Sequence, residues 1–488
     1  MNKIYLSLLS LCLCFSLTAQ DVQYLDLKSV IQTAKKESPS YYRAQNQAEN
    51  LYWNYKQYKA DYLPQLSLSG TVPNYSNSIN RVSQNDGTFQ FLSSEQLFLN
   101  SRLNIDQNVP LTGGTFSLSS TLSRQQIINP SQSTSFFSTP FNINYSQPMI
   151  LYNSQKWERK IQPILYKESQ RSYVEDIERI SAETTDLYFN ALTSKIDVQI
   201  AELNVNNNDT LFKISKGRYN LGKIAQNDLL QIELNLLNAQ NSLSNSQLNY
   251  EINTQALKRY LGIDVKKEID LSIPKEVEFF EVSLAQAMEQ AKQNRQSVLE
   301  FRRRRLEADQ AVAQARGQSG YQLNMNANFG SSQQGANLDE AYGSTPNQQN
   351  LVTVGVSIPL VDWGRAKSRV RRAKANRDLI EVNVKQDEIN FEQEIYLQVT
   401  RFNMQKNQLW IAAKADTVAQ KRYSVAKQRY LTGKITITDL NLGQSEKDNA
   451  RKSYLNSLRT YWISYYTLRR LTLYDFKNQK PITYSFDF

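Results

Sequence analysis

The sequence predicts a mainly helical protein with a transmembrane β-barrel portion, built from one strand-and-helix unit used twice. Three observations point there. The block KGRYNLGKIAQNDL at 216–229 returns 211 positions later as KQRYLTGKITITDL at 427–440, so half of the chain is a duplicate of the other half. Stretches free of Gly and Pro at 164–216, 223–261 and 365–432, the last of 68 positions, predict helices that run to about 80–100 Å in the two longest at 1.5 Å per residue. Elsewhere the apolar period falls from near 3.6 to 2, the mark of strands with one apolar face.

The chain opens with Lys3, an apolar run from Ile4 to Leu17 and the small-residue stretch Thr18-Ala19-Gln20, which read as a cleavable secretory leader over 1–20. Cys12 and Cys14, the only cysteines, fall inside it, each preceded by leucine where a lipid-attachment cysteine prefers a small residue. The part after the leader therefore has no disulfide and no thiol nucleophile. No run beyond it approaches the roughly 18–20 apolar residues of a membrane-spanning helix, so membrane insertion must use strands.

The first repeat is placed at 21–262: a helix, strands, then a long helical hairpin. Leu66, Leu68 and Val72 alternate with Ser67, Ser69 and Thr71, and Ile143 and Tyr145 with Asn142 and Asn144. In the hairpin, Ile177, Ala191, Val198 and Val205 recur on a heptad diluted by small and polar residues, which suits several helices packed side by side. Gly222 and Gly433 end the long helices in the left-handed conformation open to Gly, and Asp228 and Asp439 follow in the first turn of the next helix, where the macrodipole favours a carboxylate.

A linker at 263–281 leads into the second repeat at 282–473, where Leu323, Met325, Ala327 and Phe329 alternate with asparagines and Val352, Val354 and Val356 with Thr353 and Gly355. Leu66 matches Leu323 at an offset of 257 and Pro148 matches Pro359 at 211, so the first copy carries 46 extra residues between its strands. The insert holds an additional hairpin over 101–122, turning at Thr112-Gly113-Gly114, which could extend a barrel wall or cap its outer mouth. Residues 474–488 form a separate tail.

About four strands per chain cannot close a barrel, and lipid does not tolerate an open edge, so the barrel must be shared, three copies supplying about twelve strands. Lys and Arg number 57 against 46 Asp and Glu, a net +11 that fits a solvated helical surface better than nucleic acid in an exported chain. Histidine is absent, which excludes His-based acid–base catalysis, and no carboxylate cluster suggests a metal, so neither an enzyme nor a cofactor is predicted. Basic clusters at Arg302 to Arg305 and Arg365 to Arg377 fit inter-helix pairing, solvated surface or contact with anionic lipid.

The leader, the duplication and the RY-x-x-G-K-I…DL tips together resemble TolC-type outer-membrane efflux proteins, the outer-membrane factor family, over about 25–473. The resemblance implies a homotrimer with a β-barrel in the outer membrane and a periplasmic coiled-coil helical barrel. It further implies a passive conduit of a tripartite efflux or secretion system, opened by a periplasmic adaptor and energised by an inner-membrane pump. By that resemblance the adaptor docks at the tips, on Arg218, Tyr219, Gly222, Lys223, Arg429, Tyr430, Gly433 and Lys434. A ring of carboxylates that narrows the entrance falls at its first position on Asp439 and at its second on Leu442. The arginine of the family's closing latch falls on Ile435, while Tyr430 matches its tyrosine. The alternative is a periplasmic coiled-coil adaptor or tether, which needs no paired amphipathic strands.

Overall fold

The computed structural model describes residues 23–274, 277–343 and 345–484; the expected leader and the last four residues of the tail lie outside them. In chain order the elements are β1 (Gln23–Leu25), α1 (Leu27–Glu37), α2 (Pro39–Ala60), β2 (Gln65–Ser83), β3 (Phe89–Val109), β4 (Gly114–Asn129) and β5 (Ser133–Gln147). The long helices α3 (Ser154–Asn220) and α4 (Gln226–Leu261) complete the first copy. There follow β6 (Ile269–Leu271), α5 (Leu284–Asn294), α6 (Gln296–Gly317), β7 (Gln322–Gly335), α7 (Leu338–Gly343) and β8 (Asn347–Ser357). The chain ends with α8 (Arg365–Leu431), α9 (Ile437–Thr472), β9 (Tyr474–Asp475) and β10 (Lys480–Pro481).

The duplication holds to the residue. Helices α1 and α5 are each 11 residues long, α2 and α6 each 22, α3 and α8 each 67, and α4 and α9 each 36. Helix α3 starts earlier than the Gly- and Pro-free window suggests and runs through both Pro163 and Gly217. Packing along a long partner outweighs the local penalties of those residues.

The chain divides into two compact units, one gathering residues up to 47, 173–295 and 393 onward, the other 48–172 and 296–392. The second unit holds one antiparallel sheet in the order β2-β3-β4-β5-β7-β8. The sheet thus holds six strands per chain, the four expected and the two of the additional hairpin. The inserted residues enter the sheet as β3 and β4, between strands that the two copies share. Their turn lies at the end where strands meet helices, because Gln147 Nε2 donates to Thr112 O at 3.1 Å and Asn153 Nδ2 to Pro110 O at 2.9 Å. The hairpin therefore extends the wall and does not cap the far mouth.

Register shows why the insert fits. Leu66 pairs Ile105, Ile105 pairs Leu118, Leu118 pairs Ile143 and Ile143 pairs Phe329, an apolar row across five strands. One residue along, Ser67, Asn104, Ser119 and Asn142 form the matching polar row. Because side chains alternate faces, the sheet is apolar on one side and polar on the other, as a barrel wall between lipid and a wet lumen requires. Leu66, Val352, Val354 and Val356 are all more than half exposed on the apolar face, where only lipid removes the cost. In the same unit Arg303 pairs Glu168 at 2.7 Å, Arg304 pairs Asp387 at 2.7 Å and Arg305 pairs Glu381 and Glu388 at 2.9 Å. Those three arginines are thus spent on inter-helix pairing.

In the first unit β1 lies parallel to β6, a strand of the linker that the sequence reading left unassigned. The fully buried Glu178 of α3 binds Lys35 of α1 at 2.9 Å and Arg469 of α9 at 2.7 Å, and accepts a bond from Tyr484 Oη at 2.6 Å. Arg469 continues to Asp475 at 2.6 Å. Burial pushes the Glu178 carboxyl up, but Lys35 and Arg469 outweigh it and hold the group below its usual range. No helix among the described residues is long and apolar enough to cross a membrane.

Candidate functional site

Both hairpin tips are built by the same local rule. At the first, Gly222 takes φ +65°, its N–H donates to Tyr219 O at 2.8 Å, and Lys223 N–H donates to Arg218 O at 2.9 Å. At the second, Gly433 takes φ +73°, with Gly433 N–H to Tyr430 O and Lys434 N–H to Arg429 O, each 2.9 Å. This paired pattern satisfies the last carbonyls of each helix and demands a left-handed residue, which explains the repeated Gly. An added Cβ at Gly433 meets nothing within 4 Å, so the cost of substitution is backbone strain alone. Gly433→Ala is accordingly expected to cost about 1–2 kcal/mol at the tip. Hydrogen exchange checks it: residues 430–436 should exchange faster with the rest unchanged, and unaltered tip exchange would refute it.

The tips differ in how they begin the next helix. Thr436 caps α9: its Oγ1 accepts from Asp439 N–H at 3.2 Å, and Asp439 Oδ2 accepts from Thr436 N–H at 3.1 Å and Thr436 Oγ1 at 2.7 Å. Those hydrogen bonds from Thr436 hold the Asp439 carboxyl below its ordinary range, so it stays ionised. At the first tip Ala225 occupies the cap position with no side-chain bond. Asp439 is fully exposed while serving as a cap, and Leu442 one turn on is 53% exposed.

The structure brings residues of the two tips together. Arg218 Nη2 donates to Leu431 O at 3.0 Å, and its guanidinium lies 6.0 Å from the centre of the Tyr430 ring. Tyr430 is only 8% exposed, whereas its counterpart Tyr219 is 39% exposed. Beneath the arginine, Leu211, Ile232, Tyr430 and Leu440 form a buried cluster against which Ile435 and Ile437 pack. Ile435, the position of the family's latch arginine, is thus a half-buried packing residue here. The remaining docking candidates, Gly222, Lys223, Arg429, Gly433 and Lys434, are exposed. The sequence reading missed Arg218 as a bridge and missed Leu211 and Ile232; comparing the copies could have found them, since Arg422 and Gly443 replace Leu211 and Ile232 in the second.

A two-faced antiparallel sheet with paired, duplicated long helices defines a subunit of a membrane channel. The family model described as outer membrane efflux protein matches residues 30–263 and 287–472, and the chain belongs to that family. Its members are transport conduits of the outer membrane, not enzymes, and this chain is an outer-membrane efflux channel subunit with a large periplasmic portion. The fold is similar to the Campylobacter jejuni CmeC outer membrane channel, with 16% identity, 94% of this chain and 87% of that one covered, and a TM-score of 0.66. It is likewise similar to a Pseudomonas aeruginosa membrane protein (14% identity, 94% and 92% covered, TM-score 0.65) and to the outer membrane protein VceC of Vibrio cholerae (16%, 92% and 95%, 0.60). No curated protein matches the chain.

Proposed function

We propose that three copies of the chain close into one passive conduit of a tripartite efflux or secretion system, opened at the helical tips by a periplasmic adaptor and energised by an inner-membrane pump. The observation that carries the ring of copies is the sheet itself. Among the described residues β2 pairs only with β3 and β8 only with β7, so a wall meant for lipid has two open edges. Copies joined β8 to β2 remove both. Three copies of six strands give eighteen. At about 4.8 Å between strands and a tilt of about 40°, eighteen strands close at about 36 Å across, against about 24 Å for twelve.

The exposed faces of the long helices support the same ring. Leu397, Met404, Ile411, Val418 and Val425 recur every seventh residue of α8, each more than half exposed, and Leu230, Leu234, Leu237, Leu248 and Ile252, equally exposed, follow one another along α4 at spacings of four, three, eleven and four. Stripes of this kind at heptad spacing want a helix against them. The adaptor docks on the outermost tip residues, Gly222, Lys223, Gly433 and Lys434, while Asp439 and Leu442 border the aperture, a carboxylate ring beside an apolar one. Co-purification from cross-linked membranes tests the docking. An elongated periplasmic adaptor should come down with the wild-type chain, and Lys223→Glu with Lys434→Glu should lose most of it. Full retention by that double variant would move docking away from the tips.

A further inference from the structure

The duplication supplies a template for a contact between copies. Within one chain the first hairpin meets the second, and in a ring the second hairpin of one copy meets the first hairpin of the next. Because α3 and α8 match at an offset of 211, as do α4 and α9, each within-chain contact names its counterpart in that seam. Most of the counterparts are chemically inverted.

Along the shafts the within-chain joint is polar. Arg459 binds Asp186 (Nε to Oδ1, 2.8 Å), Lys452 binds Asp197 at 3.1 Å and Asn204 Nδ2 donates to Asp448 at 2.8 Å, beside a polar groove of about 530 Å³. Shifted by 211, Asp186 and Arg459 become Leu397 and Leu248, and Asn204 and Asp448 become Ala415 and Leu237, while Asp197 and Lys452 become the polar pair Gln408 and Asn241. Leu397, Leu248 and Leu237 are all more than half exposed in the single chain. At the tips the inversion runs the other way. The apolar cluster of Leu211, Ile232 and Ile437 becomes Arg422, Gly443 and Gln226, and the bond from Lys427 Nζ to Asn207 Oδ1 at 2.8 Å becomes Lys216 facing Val418. What survives is the arginine contact, with Leu229 and Ile224 in the places of Leu440 and Ile435: Arg429 is exposed, as is Tyr219.

We infer that a second copy of this chain docks its α4 on α8 tightly along the shafts and loosely at the tips, where Arg429 reaches Tyr219 and the Asn220 carbonyl of that copy. The tips therefore part between copies, not within a chain. Within a chain, Arg218 sits above a buried apolar cluster that resists separation, because parting the tips would expose Leu211, Ile232 and Leu440 to water. Between copies the tip keeps the arginine contact, Leu229 and Ile224 but loses the counterparts of Leu211, Ile232 and Ile437. This inference rests on the ring of three copies and adds which joint opens.

The test uses the full chain, whose only native cysteines are Cys12 and Cys14 in the leader. Arg429→Cys with Tyr219→Cys, treated with a short bismaleimide, should give a ladder of two and three linked chains on a denaturing gel. Arg218→Cys with Tyr430→Cys should stay at one chain. An unheated gel read alongside separates the failures: absence of any trimer band sinks the ring, whereas a trimer band without the ladder sinks the seam. In planar bilayers Arg429→Gln should raise conductance several-fold and Arg218→Gln should leave it near wild type. Equal effects of the two, or a larger one from Arg218→Gln, would overturn the assignment of the opening joint.

Discussion

Glu178→Gln is expected to destabilise the first unit by about 3–5 kcal/mol and to loosen the C-terminal segment. The side chain has no exposure, and its two oxygens serve Lys35, Arg469 and the Tyr484 hydroxyl at once. The amide keeps the shape and removes the charge. Two buried cations from α1 and α9 then share the single carboxylate of Asp475, and the cost is the uncompensated charge. Limited proteolysis should cut after residue 473 much faster in the variant, and the folded trimer should be lost at lower temperature. Lys35→Met added to Glu178→Gln should recover part of the loss, because it removes one orphaned cation.

The pH dependence has a fixed sign. The folded-state pKa of Glu178 lies below the unfolded value of 4.5, so the unfolded chain binds more protons as pH falls through that region. Its contribution is fully present above about 4.5 and is lost as pH drops toward the folded value. Wild type should lose stability over that window, and Glu178→Gln should show a flatter profile there. A variant that melts like wild type at pH 7 would show that the network does not hold the unit together.

The helical half of the architecture was legible because Gly and Pro punctuate it: the tip glycines stand at positive φ, as the paired turns require. The strands were legible in kind but not in number. Four of them alternate cleanly, but β3 and β4 carry Ser120 and Ser101 in the apolar face and Ile127 in the polar one, which blurs the period. Only register, a non-local property, shows that the insert continues both faces of the wall. The tip residues were legible as a motif, yet their roles separate only in three dimensions. Tyr430 and Tyr219 look equivalent in the sequence, yet Tyr430 packs with Leu211, Ile232 and Leu440 inside the chain while Tyr219 stands on a face that the chain itself leaves open. A copied motif therefore marks where to look, and the differences between copies carry the function.

Leu397→Asp is expected to abolish assembly while leaving each chain helical, and Leu248→Arg in the same chain is expected to restore it. Both leucines are about 60% exposed in the single chain, and under the proposed seam the offset of 211 sets them opposite each other between copies, as the chain itself pairs Asp186 with Arg459. The single change forfeits about 2–3 kcal/mol of apolar burial in each of three seams and buries a carboxylate without a partner. Summed over the ring this approaches 10 kcal/mol, about seven decades in the assembly constant at 1.4 kcal/mol per decade. The double variant installs in the seam the ion pair that the chain already uses between α3 and α9, in a helical setting of the same geometry. Size-exclusion chromatography with light scattering reads the outcome. Monomer for Leu397→Asp and trimer for the pair supports the copied register; trimer for the single variant would place Leu397 outside the interface. Monomer for both would show that the seam does not follow the within-chain template, even where the ring of copies stands.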